Sequence, residues 1–253
     1  MLFDTTIFGP IRSRRLGVSL GINLLPQRGK ICSFDCIYCE CGLNKDGRED
    51  TTLPTREQVR AALEEKLVAY KNAGGEPIDT FTFAGNGEPT LHPEFKEIVL
   101  DTQKLRNQYY PDAKISVLTN AWQLDKPSVM EGLLQVDNAI LKLDSAIPET
   151  LLKMNRPVSP TFSMETLIEQ MTSFRGECII QTMFLRGAGV DNTTSAEIEA
   201  WLNAIKRIQP SLVQLYSINR KVPIEGLEHV SEAELNAIAS QVKEIGIRTL
   251  VTP

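Results

Sequence analysis

Histidine is scarce in this chain, and no Ser-His-Asp set is evident. The 253 residues include only 2 histidines. Imidazole is the side chain most often used as a general acid or base near neutral pH. Ordinary acid–base catalysis therefore has little to draw on, and we expect His92, which precedes a helix pattern, to start that helix rather than to bind a ligand.

Long apolar runs and an excess of basic residues are also missing. No apolar segment approaches the roughly 20 residues needed to span a bilayer, and charged residues interrupt residues 1–20, where a secretory leader would lie. Lys and Arg total 27 against 32 Asp and Glu, a formal net charge of −5. This balance is opposite to that of a protein that binds nucleic acid unaided. We predict a cytoplasmic protein without membrane contact.

Cysteine is rare outside one short segment. Four of the 5 cysteines lie within residues 32–41, and Cys178 is the fifth. Cys32, Cys36 and Cys39 have the spacing C-x3-C-x2-C. Thiolates are soft ligands that select iron–sulfur clusters or zinc. Three of them on one loop can hold three irons of a cubane while the fourth iron has no protein ligand.

The cysteine segment has two alternative explanations. A structural zinc site with four thiolates usually takes them from two separate segments, whereas here the distant cysteine is alone, and we interpret Cys178 as a small buried hydrophobe. A disulfide framework is typical of small secreted proteins and not of a chain of this length without a leader. An iron–sulfur cluster is favoured, and a zinc-binding module is the least favoured reading.

Strand and helix patterns alternate along the chain. Such connections favour parallel pairing with right-handed crossovers. The predicted fold class is α/β, a partial (β/α)6 TIM-like barrel of parallel strands with outer helices. We expect a single domain over residues 1–253, in which residues 231–253 form a C-terminal helix–strand extension. The six strands of the barrel are predicted at residues 17–25, 78–84, 115–118, 139–145, 178–184 and 212–218.

Several helix starts carry capping signals. Thr55 with Gln58, and Ser231 with Glu234, predict capping boxes. Ser195 is the predicted cap of the helix that follows the fifth strand.

Polar residues follow three of the predicted strands. The segment Gly85-Asn86-Gly87-Glu88-Pro89-Thr90 follows the second strand and adds a carboxylate there. Thr119 and Asn120 end the third strand, and Asp144 and Ser145 end the fourth. Because α/β barrels carry their chemistry at the carboxyl ends of the strands, these side chains are expected to face one opening.

Five further polar residues are candidates for substrate contact. Arg14 and Arg15 form a cationic cluster that either binds an anionic group or is a solvated surface. Lys142 lies inside a strand, where it needs a partner or water if it faces inward, and otherwise extends outward. The complete candidate set is Arg14, Arg15, Lys142, Gln181 and Arg220.

The cysteine spacing and the G-x-G-E-P-T segment together resemble the radical S-adenosylmethionine (radical SAM) superfamily. The resemblance implies a [4Fe-4S] cluster on Cys32, Cys36 and Cys39, whose open iron chelates the methionine end of SAM. It also implies an enzyme of the iron–sulfur oxidoreductase class, in which reductive cleavage of SAM yields a 5′-deoxyadenosyl radical that abstracts hydrogen from a substrate. The implied SAM contacts are Tyr38, Gly85, Gly87, Glu88, Pro89, Thr119, Asn120, Asp144 and Ser145.

Within the superfamily, three motifs together are most similar to the group of the tRNA wybutosine-synthesis enzyme. They are Gly9-Pro10 with Ser13-Arg14-Arg15-Leu16-Gly17, the triad segment C-S-F-D-C-I-Y-C and the G-x-G-E-P-T segment. That group implies a second cluster, for which only Cys41 and Cys178 remain. The substrate therefore stays open among a small molecule, a tRNA base and a partner protein, the last as in a glycyl-radical activase. A one-electron donor such as flavodoxin or ferredoxin is also implied.

Overall fold

A computed structural model of the chain describes residues 2–46, 50–220 and 222–253. The chain divides into two compact units. Unit 1 comprises Met1–Cys32, Asn44–Thr119 and Asp125–Ala139, and unit 2 comprises Ser33–Leu43, Asn120–Leu124 and Ile140–Pro253. In the described part of the chain, no helix is both long and apolar enough to cross a bilayer.

The described residues contain ten strands and seven α-helices. The strands are β1 (Ile7–Ser13), β2 (Gly17–Ile22), β3 (Thr80–Phe83), β4 (Lys114–Thr119), β5 (Asn138–Lys142), β6 (Cys178–Gly187), β7 (Val190–Asp191), β8 (Leu212–Ser217), β9 (Leu227–His229) and β10 (Thr249–Thr252). The helices are α1 (Arg56–Asn72), α2 (Phe95–Tyr109), α3 (Pro127–Leu133), α4 (Pro148–Asn155), α5 (Met164–Thr172), α6 (Ser195–Ile208) and α7 (Glu232–Glu244).

Unit 1 is built on parallel strands that point their carboxyl ends the same way. Strand β2 pairs in parallel with β3, and β3 pairs in parallel with β4. Phe81 and Phe83 on β3 are fully buried, and Phe83 meets Phe95 of α2 edge to face. Beyond the carboxyl ends of these strands, Ile31 pairs with Gly87 in the segment that follows β3.

Unit 2 has its own parallel core around β6. Strand β6 pairs in parallel with β8, and β8 pairs in parallel with β10. The short strands β7 and β9 add to the carboxyl half of β6 in antiparallel fashion. Trp201 of α6 is buried and donates its indole N–H to the carbonyl of Leu143 at 3.2 Å. This bond satisfies the polar end of a large core side chain.

Two of the three predicted caps are present, and the predicted start at His92 is wrong, because α2 begins at Phe95 after the cap residue Glu94. Both capping boxes are present, at Thr55 before α1 and at Ser231 before α7. The predicted cap at Ser195 is wrong, because Thr194 accepts the hydrogen bond from the N–H of Glu197 and Ser195 is the first helical residue.

Strand β1, helix α4 and the short strands β7 and β9 were not predicted from the sequence. Strand β1 precedes the cationic cluster of Arg14 and Arg15, and it pairs antiparallel with β2. Helix α4 follows β5 and begins at Pro148, a residue favoured in the first helical turn. Helix α4 matters for the site because its end contacts the cysteine segment.

Candidate functional site

The part of the cysteine segment that belongs to unit 2, which begins at Ser33, is fixed by the end of α4. The backbone N–H of Asp35 donates to the carbonyl of Asn155 at 2.9 Å, and the N–H of Ile37 donates to the carbonyl of Met154 at 2.9 Å. The last carbonyls of a helix have no partner within the helix. The cysteine segment supplies the missing donors, so that its backbone is held in one conformation.

Cys36 is buried in this segment, and its sulfur accepts a hydrogen bond. Asn155 Nδ2 donates to Cys36 Sγ at 3.4 Å. Burial raises the pKa of the Cys36 thiol to about 11, with the positive charge of Lys142 acting in the opposite direction. Metal binding removes the thiol proton, and an N–H donor then stabilises the negative sulfur. The surroundings of Cys36 therefore suit a metal-bound thiolate.

Asp144 joins this cysteine segment to a buried polar network. The hydroxyl of Tyr38 and Nδ2 of Asn155 both donate to Asp144 Oδ2, the second at 2.6 Å. The N–H of Met183 donates to Oδ1 at 2.9 Å. Burial, followed by the charge of Asp144, raises the pKa of Tyr38 well above its usual value. A buried carboxylate needs such donors, and here the chain itself provides them.

Lys142 faces inward and has found partners. Its Nζ donates to the hydroxyl of Tyr216 at 3.2 Å, lies 3.8 Å from Asp144 Oδ2, and sits 5.1 Å from the centre of the Tyr38 ring. Burial lowers the pKa of Lys142, but Asp144, Tyr216 and Cys36 together outweigh the effect of burial, so that the pKa lies above its ordinary value. Lys142 is therefore a protonated, partly buried cation, and the outward orientation is wrong.

Glu88 is the corresponding buried carboxylate of unit 1. Its Oε1 accepts hydrogen bonds from the N–H of Thr90 at 3.1 Å, the hydroxyl of Thr90 at 2.6 Å and the hydroxyl of Thr119 at 2.6 Å. Pro89 begins the short 3-10 helix Pro89–Leu91 that places Thr90 there. A carboxylate fixed in this way is suited to accept hydrogen bonds from an ammonium group.

The glycines of the Glu88 segment allow close approach to other parts of unit 1. Gly87 has a φ of +132°, and a Cβ there would lie 1.8 Å from the carbonyl oxygen of Ile31. The same carbonyl accepts the N–H of Glu88 at 3.0 Å. At Gly85, a Cβ would lie 2.3 Å from Asn23 Oδ1. Both glycines are thus required by contacts within the chain, and the residue before Cys32 pairs with the Glu88 segment.

The polar residue that follows β4 has partners near the cysteine segment. Asn120 Nδ2 donates to the hydroxyl of Ser33 at 2.9 Å, and Asn120 Oδ1 accepts the N–H of Trp122 at 3.1 Å. Both partners belong to unit 2. Asn120 therefore shapes the start of the cysteine segment.

Two other residues predicted to contact ligands are buried in pairs. The hydroxyl of Ser145 donates to Glu197 Oε2 at 2.7 Å, and Gln181 Nε2 donates to Gln214 Oε1 at 2.8 Å. Ser145 and Gln181 are nearly inaccessible to solvent. For a ligand to contact either residue, one of these bonds must be exchanged or shared.

The cationic residues occupy different places. Arg14 is exposed and Arg15 is half-buried in the turn between β1 and β2, at the amino end of β2. Arg220 forms an ion pair with Glu40, the residue that follows Cys39, with 2.7 Å between the guanidinium nitrogen and the carboxylate oxygen. Of the predicted arginines, Arg220 is the one that the structure brings to the cysteine segment.

None of the 5 cysteines is in a disulfide. Within the described residues, no group of three or more His, Cys, Asp or Glu side chains is arranged to hold a metal ion. Such a group converges on a single metal ion. In a cubane cluster each thiolate binds a separate iron, so the cysteines need not converge on one point.

Sequence reasoning missed Asn155 and Tyr216, which complete the network around Asp144. Asn155 is the last residue of α4, a helix signalled by Pro148 at its start and by the apolar pair Leu151 and Met154. That signal was present in the sequence. The bond from Asn155 to Cys36 spans 119 residues of sequence, and no local pattern indicates it.

A match to a family profile identifies the superfamily of the chain. The profile described as Radical SAM superfamily matches residues 27–209, well over half of the chain. The chain belongs to the radical SAM superfamily. The matched part of this radical SAM chain contains the cysteine segment, the Glu88 segment and strands β3 to β6.

Curated relatives of this radical SAM chain are mostly longer proteins. A UPF0026 protein of Synechocystis is 32% identical over 87% of this chain and 77% of its own length. A UPF0026 protein of Methanocaldococcus jannaschii is 33% identical over 82% of this chain and 61% of its own length. A Brachyspira hyodysenteriae protein named GTPase Obg is 29% identical over 90% of this chain. The chain spans only 32% of that protein, so less than two thirds of these last two relatives is covered.

Solved structures of radical SAM proteins share the fold. A radical SAM methyltransferase from Sphaerobacter thermophilus has a TM-score of 0.67 at 17% identity, covering 92% of this chain and 65% of its own. SuiB of Streptococcus suis bound to S-adenosylmethionine has a TM-score of 0.64 at 14% identity, covering 89% and 49%. TYW1 with a lysine-pyruvate adduct has a TM-score of 0.62 at 16% identity, covering 89% and 73%.

These comparisons confirm four predictions. The superfamily, the α/β partial-barrel fold class and the enzyme class are as expected from the sequence. Membership also implies a [4Fe-4S] cluster and S-adenosylmethionine as cofactors. Enzymes of this superfamily need an electron donor and a substrate. The Cys36 thiol with its N–H donor and the fixed Glu88 carboxylate are groups of the kind that these two cofactors require.

Proposed function

We propose that the chain is a radical SAM enzyme whose [4Fe-4S] cluster is held by Cys32, Cys36 and Cys39. The observation that carries the proposal is the buried thiol of Cys36. Cys36 lies on a loop that the end of α4 holds in place, and its sulfur accepts a hydrogen bond from Asn155, the last residue of α4. A hydrogen-bonded and largely desolvated thiolate is a suitable ligand for the iron of a cluster. The C-x3-C-x2-C spacing supports Cys32 and Cys39 as the other two ligands.

The cofactors would supply the reactive chemistry, a 5′-deoxyadenosyl radical generated by one-electron cleavage of SAM, and the chain would supply binding and position. Glu88 is proposed to accept hydrogen bonds from the methionine ammonium of SAM, with Thr90 and Thr119 keeping its carboxylate in place. Lys142 stays protonated beside Tyr216 and offers a cation to an anionic group of SAM or of the substrate. The other proposed SAM contacts are Tyr38, Gly85, Gly87, Pro89, Asn120, Asp144 and Ser145.

Within the superfamily, we propose that the chain belongs with the group of the wybutosine-synthesis enzyme, while its substrate stays open. The fold shared with TYW1 and the Arg14–Arg15 segment support this assignment. The shortage of cysteines for a second cluster and the net charge of −5 distinguish the chain from that group. The proposed substrate-facing residues are Arg14, Arg15, Lys142, Gln181 and Arg220.

We further propose a single core domain over residues 1–253 with a helix–strand extension at 231–253. Strand β10, the last strand of that extension, pairs with β8. A flavodoxin or ferredoxin of the cytoplasm is the proposed electron donor. The cytoplasm keeps thiols reduced, as cluster assembly requires.

The test is anaerobic reconstitution with iron and sulfide, followed by an assay of 5′-deoxyadenosine formed from SAM under dithionite. We expect about four irons per chain and product formation. Bound zinc with no affinity for SAM would contradict the proposal. To separate substrate classes, bulk tRNA and a cytosolic protein fraction are added in parallel. A tRNA modification predicts more product with tRNA only, whereas an activase predicts more product with protein only.

A further inference from the structure

Three hydrogen-bond acceptors surround the side-chain amide nitrogen of Asn155, which carries only two N–H donors. Its Nδ2 lies 2.6 Å from Asp144 Oδ2, 3.1 Å from the Tyr38 hydroxyl oxygen and 3.4 Å from Cys36 Sγ. A carboxylate oxygen accepts hydrogen bonds and cannot donate them. The contact with Asp144 therefore identifies the nitrogen end of the amide as the end that faces the three acceptors.

The two N–H bonds of Asn155 have distinct destinations. One N–H donates to Asp144 Oδ2, the shortest of the three contacts. The hydroxyl of Tyr38 gives its own hydrogen to Asp144, which leaves the Tyr38 oxygen as an acceptor. The second N–H is accordingly shared between Tyr38 and the sulfur of Cys36. Sulfur accepts hydrogen bonds at longer distances than oxygen does, so 3.4 Å is a formed bond.

The backbone holds Cys36 and Asn155 in this relation. The N–H of Asp35 donates to the carbonyl of Asn155 at 2.9 Å, and the N–H of Ile37 donates to the carbonyl of Met154 at 2.9 Å. These bonds flank Cys36 on both sides. Asn155 is almost fully buried, so water does not compete for its amide.

We infer that Asn155 is a positioning residue that raises the reduction potential of the cluster through its N–H bond to the sulfur of Cys36. The inference rests on the proposed function, which makes Cys36 a cluster ligand. Reduction adds one electron, and part of the added negative charge lies on the ligand sulfurs. A hydrogen-bond donor at such a sulfur stabilises the reduced state more than the oxidised state, because hydrogen bonds to the sulfurs tune cluster potentials.

The test uses two variants of Asn155 and one matched control. Asn155→Leu keeps roughly the volume of the side chain and removes both N–H donors without adding a charge, and Asn155→Ala removes the side chain beyond Cβ. The control is Asn192→Leu, another buried asparagine of unit 2, whose Nδ2 donates to the backbone carbonyls of Asp144 at 2.7 Å and Met183 at 2.8 Å. Asn192 donates to no sulfur in the described residues. Each protein is reconstituted, its iron and sulfide are measured, and its cluster is titrated by electron paramagnetic resonance against mediators.

We expect both Asn155 variants to bind iron as the wild type does but to hold about a tenfold smaller ratio of reduced to oxidised cluster at a given potential. This corresponds to about 59 mV for one electron. The Asn192→Leu potential should equal that of the wild type.

An unchanged potential in the Asn155 variants, or an equal shift in the control, would overturn the inference while the proposed function stands. Loss of the cluster from both Asn155 variants but not from the control would also overturn it, because Asn155 would then act in assembly. A wild type that binds no iron refutes the proposed function, and this inference with it.

Discussion

The hydroxyl of Thr119 donates a hydrogen bond of 2.6 Å to Glu88 Oε1 and thereby joins the end of β4 to the segment that follows β3. Two residues 31 positions apart in sequence meet because β3 and β4 are parallel neighbours with their carboxyl ends at one edge. The bond fixes one oxygen of a buried carboxylate. It is the clearest case in which polar residues at successive strand ends come together.

Glu88→Gln is expected to weaken SAM binding by roughly 10- to 100-fold, because a hydrogen bond between charged partners contributes about 1.5–3 kcal/mol. The neutral amide keeps the shape of the carboxylate but loses its charge. Isothermal titration of the reconstituted protein with SAM measures the affinity. Asp101→Asn, on the outer helix α2 of the same unit, is the control and should bind SAM normally. Equal affinity of Glu88→Gln and the wild type for SAM would show that Glu88 does not bind SAM.

Gly87→Ala is expected to destabilise the protein by about 3 kcal/mol or more, because the new Cβ would collide with the backbone of Ile31 and the residue would keep a φ of +132°. Gly74→Ala is the comparison, since Gly74 also has a positive φ, of +69°, but faces open space. Its cost should be only about 1–2 kcal/mol. Urea unfolding measures both, and equal costs would show that the contact with Ile31 is not limiting.

Asp101→Asn is expected to lower the Tm at pH 7 by roughly 2–4 °C. Hydrogen bonds from Arg56, at 2.6 and 3.0 Å, hold the pKa of Asp101 below its usual value. A lowered folded-state pKa gives stability that is present above the unfolded pKa, about 3.9, and is lost as the pH falls towards the folded pKa.

The deficit of the Asp101→Asn variant should therefore shrink below about pH 4. Thermal unfolding followed by circular dichroism at pH 7 and pH 3 checks this. Asp112→Asn, an exposed aspartate of unit 1, serves as the control and should leave the Tm unchanged. A deficit that is the same at both pH values would refute the role of the Arg56 charge.

Local patterns were sufficient for much of the fold. The buried T-F-T-F run of β3 and the two capping boxes each carry their signal within a few residues. Strand β1 was missed because its side chains are mixed polar and apolar and only partly buried. Helix α4 was missed because it is 8 residues long.

Some features of the candidate site were likewise predictable from the sequence, and others were not. The residue types at strand ends were predictable because parallel strands bring their carboxyl ends together. The partners of those residues were not, since the bonds from Tyr38 to Asp144 and from Asn155 to Cys36 each join residues more than 100 positions apart. Such contacts depend on tertiary packing, and a single sequence does not display it.

The central claim is that Cys32, Cys36 and Cys39 are the cluster ligands. The most direct measurement compares bound iron and 5′-deoxyadenosine formation in four reconstituted proteins: the wild type, Cys36→Ala, Cys39→Ala and Cys178→Ala. Cys178 is buried within β6 and serves as the matched control. The account predicts that both ligand variants lose the cluster and the product, whereas Cys178→Ala keeps both. Retention of the full iron content and product formation by Cys36→Ala would contradict it.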